Sequence, residues 1–131
     1  MKKYCYSSLL FTHRDAKKYI HPEDLRQVEH TFPLGWQLQC FEHLGVESGF
    51  DILATYEIRF RVKNAVVTEI DHPKYFYGDE VFVIRKNMKG KVLMVYWHYK
   101  RNEPYYVIEC AGVESGYRYF NKDLEDANAG H

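Results

Sequence analysis

The arrangement of hydrophobic and polar residues along the chain predicts mostly β-strands. The clearest pattern covers residues 56–62, where apolar residues at even positions alternate with charged residues at odd positions. A period of two is typical of a strand with one buried face and one wet face. Further strands are predicted at residues 4–11, 36–41, 49–55, 65–70, 81–84, 91–99, 105–110 and 116–120.

One short helix is predicted near residues 22–30. Pro22 fits the first helical position, where a main-chain N–H would be unpaired in any case. Leu25 and Val28 lie three residues apart and can share a buried face. Residues 12–19 are mostly polar and are predicted to form a loop.

These elements predict a mainly β fold, of the α+β class with one short helix. The loop at residues 71–74 contains Pro73 and is the best boundary between two small β subdomains. We therefore expect an N-terminal β-rich subdomain at 1–72, a small antiparallel barrel at 73–126 and a flexible tail at 127–131.

The pentapeptide Gly-Val-Glu-Ser-Gly occurs twice, at residues 45–49 and 112–116. Such a segment predicts a hairpin loop with glycines at positive φ. Two copies suggest two related β subdomains, and a coincidental match within one domain is the open alternative.

Composition narrows the classes of protein. Of 131 residues, 17% are aromatic, which excludes extensive disorder. Lys plus Arg and Asp plus Glu each number 18, so the chain lacks the overall basic excess of most nucleic-acid-binding domains. A net charge near zero eases self-association, so both a monomer and a homodimer are compatible with the sequence.

Cysteine usage and the N-terminus indicate a cytoplasmic protein. Cys5, Cys40 and Cys110 are odd in number and widely spaced, so we expect reduced thiols rather than disulfides or a zinc site. The apolar residues after Lys3 are interrupted by serines, which argues against a signal peptide, and no segment is long enough to span a membrane.

Motifs for catalysis are lacking. The seven histidines show no paired metal-ligand spacing, and there is neither a glycine-rich phosphate loop nor a Gly-x-Ser-x-Gly nucleophile turn. We therefore expect no enzyme activity, no metal and no cofactor.

The segment from Arg85 to Arg101 contains six basic residues and no acidic one. These residues flank one hairpin and are expected to share a rim beside aromatic strands. Such a surface suits a protein partner, since Tyr, Trp and Arg dominate binding hot spots, or single-stranded nucleic acid. The alternative without a binding role is a charged loop that simply faces solvent. The candidate binding residues are Arg85, Lys86, Trp97, Tyr99, Lys100, Arg101 and Tyr105.

The C-terminal part resembles an SH3-like barrel. The resemblance rests on Gly78–Val83, the turn at Gly90, Val92–His98, Pro104–Ile108 and Tyr117–Glu125. The chain also resembles small bacterial proteins of unknown function that pair a His-Pro-Glu-Asp-Leu helix with such a barrel. The resemblance implies a fold that mostly binds proteins, peptides or nucleic acids, and it implies no active-site residues.

Together these observations favour a non-catalytic protein-binding module. The more specific hypothesis is a bacterial immunity-type protein that neutralises a cognate toxin by occlusion. The alternative is a nucleic-acid-binding module that uses the basic hairpin at 85–101.

Overall fold

The computed structural model describes residues 2–9, 13–31 and 38–128, with only the main chain described at residues 13 and 14. These residues form two antiparallel sheets and two short helices. The chain divides into two compact units, Met1–His72 (unit 1) and Pro73–His131 (unit 2). The predicted mainly β class is confirmed, with two helices instead of one.

Unit 1 is a five-stranded sheet with two helices. Its elements are β1 (Lys3–Ser7), α1 (His13–Tyr19), α2 (Leu25–Thr31), β2 (Cys40–Glu47), β3 (Phe50–Ala54), β4 (Arg59–Lys63), a 3-10 turn (Asn64–Val66) and β5 (Val67–Ile70). The strand order is β4-β3-β2-β1-β5, so the first strand pairs with both the second and the last.

The core of unit 1 forms between one sheet face and the helices. Phe41 and Phe60 meet edge to face with ring centroids 5.3 Å apart, and both are buried. Ala16 of α1, Val28 of α2 and Ile20, just after α1, belong to the same cluster. Burial of these side chains removes apolar surface from water and holds the helices to the sheet.

The prediction of a loop at residues 12–19 was wrong, because that segment contains α1. Among its described side chains, at residues 15–19, Ala16 is the one that is buried, and Ile20 is buried just after the helix ends. Such a short apolar stripe is hard to recognise in a charged sequence. The second helix starts at Leu25, later than predicted. Pro22 lies in the preceding turn, where the main-chain N–H of Asp24 donates to the carbonyl of His21 at 2.9 Å.

The strand pattern at 56–62 was partly right. Phe60 and Val62 are buried in β4, whereas Arg59 and Lys63 are exposed. Tyr56 was predicted to share the buried face but lies in the turn before β4 and is 58% exposed. A turn breaks the alternation, because its backbone no longer places successive side chains on opposite faces.

Unit 2 contains the second sheet. Its elements are β6 (Glu80–Val83), a 3-10 turn (Ile84–Lys86), β7 (Met88–His98), β8 (Glu103–Cys110), β9 (Val113–Glu114), β10 (Tyr119–Phe120), a 3-10 turn (Asn121–Asp123) and β11 (Leu124–Asp126). The order is β10-β8-β7-β6-β11, and β9 also pairs with β8. Ala127, at the start of the predicted tail, is buried; residues 129–131 lie outside the described part of the chain.

Strict alternation along β8 separates the two faces of this sheet. Every second residue from Pro104 to Cys110 is buried, and the residues between them are partly exposed. Tyr106 is fully buried; its hydroxyl donates to Oδ1 of Asn121 at 2.7 Å and accepts the main-chain N–H of Tyr75 at 3.4 Å. The inner face is therefore the core of unit 2.

The two pentapeptide copies occupy different positions in their hairpins. In the first copy Ser48 and Gly49 form the turn between β2 and β3, with φ of 50° and 84°. In the second copy the turn is formed by Ala111 and Gly112, at 52° and 79°, and Ser115 is buried beyond it. The shared sequence therefore does not mark equivalent hairpins.

Candidate partner-binding surface

Tyr105 lies on the outer face of the unit 2 sheet, between β7 and β10. The register places it opposite Tyr96 of β7 and Phe120 of β10. Because directly opposed residues point to the same side of a sheet, the three rings share this outer face. The face is formed by the hairpin of β7 and β8 together with β10, which pairs with the other side of β8.

The rings contact each other and one histidine. Tyr96 and Tyr105 are stacked, with centroids 5.4 Å apart and planes 28° apart. Phe120 lies 6.0 Å from Tyr105, and His98 lies 5.6 Å from Phe120 and 6.0 Å from Tyr105. These separations are within the range of favourable aromatic pairing.

Two arginines cover this aromatic group. The guanidinium carbon of Arg101 lies 3.7 Å from the centroid of Phe120, and that of Arg118 lies 5.0 Å from the centroid of Tyr105. Cation–π attraction holds the planar guanidinium groups over the rings while their N–H donors stay available at the edges. We call these six residues the Tyr105 cluster: Tyr96, His98, Arg101, Tyr105, Arg118 and Phe120.

The cluster is partly desolvated although it faces outward. Phe120 is only 8% exposed. Burial raises the pKa of Tyr96, with smaller contributions from Tyr105 and from the charge of Glu114. Arg101 also contacts Glu103, with its Nε 3.5 Å from Oε2. Such preorganised rings and guanidinium groups lose little side-chain entropy when a partner docks.

Two of the predicted binding residues, Arg101 and Tyr105, belong to the cluster. Trp97 is opposite Pro104 and alternates with Tyr96, so it lies on the opposite face of β7 and is half-buried. Tyr99 is 70% exposed, and Lys100 is exposed beside it in the turn after β7. This turn lies at the edge of the Tyr105 cluster.

The basic residues at the two ends of the hairpin were expected to share one rim, and they do not. Arg85 and Lys86 precede β7, whereas Lys100 and Arg101 follow it, so the pairs lie at opposite ends of an eleven-residue strand. Arg85 has its own aromatic contact: its guanidinium carbon lies 3.9 Å from the Tyr117 centroid, and Nη2 donates to the Tyr117 hydroxyl at 2.9 Å.

Four residues of the cluster, Tyr96, His98, Arg118 and Phe120, are not among the candidate binding residues selected from the sequence. Tyr96 and His98 stand at every second position of β7, which is a signal for a shared face. Arg118, directly before β10, and Phe120 of β10 repeat this spacing. Only the pairing of the strands shows that the two stripes meet at Tyr105.

One lysine of β7, Lys91, lies between two carboxylate residues of the neighbouring strands. Lys91 is opposite Glu80 of β6 on one side and Glu109 of β8 on the other. Directly opposed opposite charges attract each other across a sheet. The positive charge of the hairpin is therefore partly balanced where the sequence alone showed only basic residues.

The thiols of unit 1 and the possible metal ligands were also examined for reactive arrangements in the described part of the chain. Cys5 and Cys40 are buried, and burial raises the pKa of both thiols, to about 12 for Cys5. Across 2–9, 13–31 and 38–128, no group of three or more His, Cys, Asp or Glu side chains is placed to hold a metal ion. No helix within these ranges is long and apolar enough to cross a membrane.

The fold and this surface define a mainly β, two-unit protein with an arginine-covered aromatic face. Residues 1–125 match the "Family of unknown function (DUF6960)", and the chain belongs to this family. Neither the comparison with curated proteins nor that with solved structures found a match.

Proposed function

We propose that this chain is a non-catalytic protein-binding module whose partner docks on the Tyr105 cluster. The observation that carries the proposal is the stacking of Arg101 and Arg118 on the rings of Phe120 and Tyr105. Tyrosine and arginine are the side chains most enriched at energetic hot spots, and here they are held in place before any partner arrives. The exposed neighbours Tyr99 and Lys100 extend the surface.

We further propose that unit 2 is an SH3-like barrel. A meander of β6, β7 and β8 continues through β10, and the 3-10 turn Asn121–Asp123 leads to β11, which pairs with β6. The last strand thus returns to the first, as expected for a small sheet that curls towards closure. This topology supports the resemblance noted in the sequence.

A protein fits the surface better than nucleic acid does. A backbone-binding groove for nucleic acid needs a net positive potential. Here Arg101 pairs with Glu103, and Lys91 is flanked by Glu80 and Glu109. The mixed charges instead suit a protein partner with its own pattern of both signs, which gives specificity and orientation.

The finer proposal is a bacterial immunity-type protein, which would block a toxin by covering its functional surface. Its support is a small chain with a preorganised face and no recognised catalytic motif. Occlusion requires tight binding and no chemistry, which agrees with a surface of aromatic and arginine side chains. In this case reversal of charge at Lys100 should slow association, because rim charges steer encounter.

The test is affinity capture from cells that express the protein, with wild type, Arg118→Glu and Arg26→Glu as baits. Arg26 is an exposed arginine of α2 in unit 1, so its replacement makes the same charge change away from the surface. Half of each sample is treated with nuclease before mass spectrometry. Purified partner is then used to measure affinity for each bait.

The proposal expects one stoichiometric protein that survives nuclease treatment. Its affinity should fall about tenfold or more with Arg118→Glu, which corresponds to at least about 1.4 kcal/mol, and should be unchanged with Arg26→Glu. Equal affinity for all folded baits would refute this surface. Recovery of nucleic acid with steeply salt-dependent binding would favour the alternative function.

A further inference from the structure

A small pocket with a positively charged lining lies in unit 2, between two 3-10 turns. One turn, Ile84–Lys86, follows β6, and the other, Asn121–Asp123, precedes β11. Because Leu124 of β11 is opposite Val83 of β6, the two turns lie side by side at the same end of this strand pair. The pocket between them has a volume of about 220 Å³.

Basic residues outnumber acidic residues in the described lining of this pocket. The basic residues are Arg85, Arg118 and Lys122, and the acidic residue is Asp123. The Oδ2 atom of Asp123 already accepts the main-chain N–H of Phe120 at 2.8 Å. Three cations and one carboxylate give the lining a net charge of about +2 at neutral pH.

The ring of Tyr117 holds Arg85 in place at the pocket. The guanidinium carbon lies 3.9 Å from the ring centroid, and Nη2 donates to the Tyr117 hydroxyl at 2.9 Å. This hydroxyl is a neutral partner, so the contact leaves the positive charge uncompensated and most of the N–H donors available. A guanidinium group that is fixed in this way presents its other donors in one plane, which suits the oxygens of a phosphate group.

The positive charges of the pocket are not balanced by ion pairs in the part of the chain that the structure describes. Arg85 contacts Tyr117, Arg118 lies over the ring of Tyr105, and Lys122 is exposed. Among residues 2–9, 13–31 and 38–128, none of these three cations forms an ion pair with a carboxylate. Like charges that are held near one another repel, and a bound anion would remove this repulsion.

The pocket also has an apolar side. Ile84 is 45% exposed and Tyr117 is 50% exposed, so both offer surface that an organic group can cover. A volume of about 220 Å³ corresponds to about seven water molecules at roughly 30 Å³ each. The pocket therefore has room for a phosphate group and a small organic group, and it is too small for a larger ligand.

We propose that this pocket binds a phosphate monoester, with the phosphate group between Arg85 and Lys122 and the organic group against Ile84. A phosphate monoester carries a charge of about −1.5 to −2 at pH 7, which matches the charge of the lining better than a carboxylate does. Clustered basic side chains are a general means of recognising phosphate groups. The inference does not rest on the proposed function, although Arg118 belongs to both surfaces.

The test is an NMR titration of the full-length, ¹⁵N-labelled chain with phenyl phosphate at pH 7 and constant ionic strength. Benzoate, which has the same ring but a singly charged carboxylate, is the matched control ligand. Phenyl phosphate should cause saturable shifts at the amides of Arg85, Arg118 and Lys122, and should bind at least about tenfold more tightly than benzoate. The titration contains no protein partner, so its result is separate from that of the affinity capture.

A capped tripeptide with a central phosphotyrosine distinguishes two sources of the phosphate group. Both probes should bind if the pocket recognises phosphate monoesters. Affinity for the tripeptide that is equal to or weaker than that for phenyl phosphate assigns the site to a free small molecule. Affinity about tenfold tighter for the tripeptide assigns the site to a phosphorylated side chain.

Three variants make the test specific to the pocket. Arg85→Gln and Lys122→Gln each remove one cation at an exposed position, and should weaken the binding of phenyl phosphate about tenfold and about threefold. Lys89→Gln is the control at an exposed lysine of β7 that does not line the pocket, and should leave the affinity unchanged. The proposal is overturned if phenyl phosphate gives no saturable shift, if benzoate binds as tightly, or if the Lys122 and Lys89 variants behave alike.

Discussion

Asp24 takes the place of a neighbouring strand for Arg61 at the edge of the unit 1 sheet. Its Oδ2 accepts the main-chain N–H and the Nε–H of Arg61, each at 2.8 Å, and its Oδ1 accepts Nη2 at 3.0 Å. One side chain thus satisfies an edge-strand amide and pairs with a half-buried guanidinium group. This contact joins the turn before α2 to β4.

Replacement of Asp24 by alanine should destabilise the protein by about 2 kcal/mol, because three hydrogen bonds to a charged group are lost and an amide is left unpaired. Urea unfolding at pH 7 measures this effect. Glu23→Ala is the matched control: this carboxylate is 3.6 Å from Arg61 but 78% exposed, and should contribute less than about 0.5 kcal/mol. Equal losses for the two variants would contradict the assigned role.

The stabilisation by Asp24 should depend on pH. The side-chain hydrogen bond from Arg61 holds the pKa of Asp24 below its ordinary value. A depressed pKa in the folded state means that the stabilisation is complete above the unfolded pKa, near about 4, and is lost as pH falls through the folded value. The difference between wild type and Asp24→Ala should therefore shrink on acidification below about pH 4. A constant difference from pH 7 to strongly acidic conditions would refute this.

Gly90 allows close packing of β7 against β8. A Cβ at this position would lie 2.6 Å from Cγ2 of Ile108 and 2.9 Å from Sγ of Cys110. Gly90→Ala should therefore cost about 1–3 kcal/mol through overpacking. Gly116→Ala is the control, since its Cβ would meet no atom within 4 Å, and its effect should be small. Thermal unfolding of the two variants checks the difference.

Replacement by glycine of the serines in the two pentapeptide copies should change the free energy of unfolding in different ways. Ser48 is exposed in a turn at φ 50°, where glycine relieves backbone strain, so Ser48→Gly should be neutral or stabilising. Ser115 is buried, and its hydroxyl lies 2.9 Å from that of Tyr119. Ser115→Gly should lose about 1–2 kcal/mol. Similar effects on unfolding would mean that the two hairpins are equivalent after all.

The three cysteines should be unreactive in the folded protein. All are buried, and the pKa of Cys5 is raised to about 12, mainly by burial. Since the thiolate is the reactive form, a disulfide reagent at pH 8 should label the native chain slowly and the urea-unfolded chain at once. Rapid labelling of the native protein, located by mass spectrometry, would show that one of these thiols is accessible.

The alternation of apolar and polar residues predicted the buried face of a strand where the pattern lies within that strand alone. Phe60 and Val62 in β4 are examples, because a buried face needs apolar residues at every second position. The helix α1 was missed since only Ala16 is buried among its described side chains at residues 15–19. The contact between Asp24 and Arg61 spans 37 residues, and no local pattern contains it.

For the candidate sites, too, local sequence patterns could be recognised and contacts between separate strands could not. Arg101 and Tyr105 could be selected from the sequence because basic and aromatic residues are adjacent there. Arg118 and Phe120 joined them only through the pairing of β10 with β8. Lys122 gave no signal as a single lysine near the end of the chain, because its significance lies in Arg85, which the pairing of β11 with β6 brings to the same pocket.

In both units the first strand is hydrogen-bonded to the last: β1 to β5, and β6 to β11. Each unit thus brings its own two ends together, as is usual for segments that fold as separate bodies. During synthesis, all strands of unit 1 are available once Ile70 has left the ribosome. Unit 2 must wait for Leu124–Asp126, so its sheet edge at β6 stays unpaired until almost all of that unit has been translated.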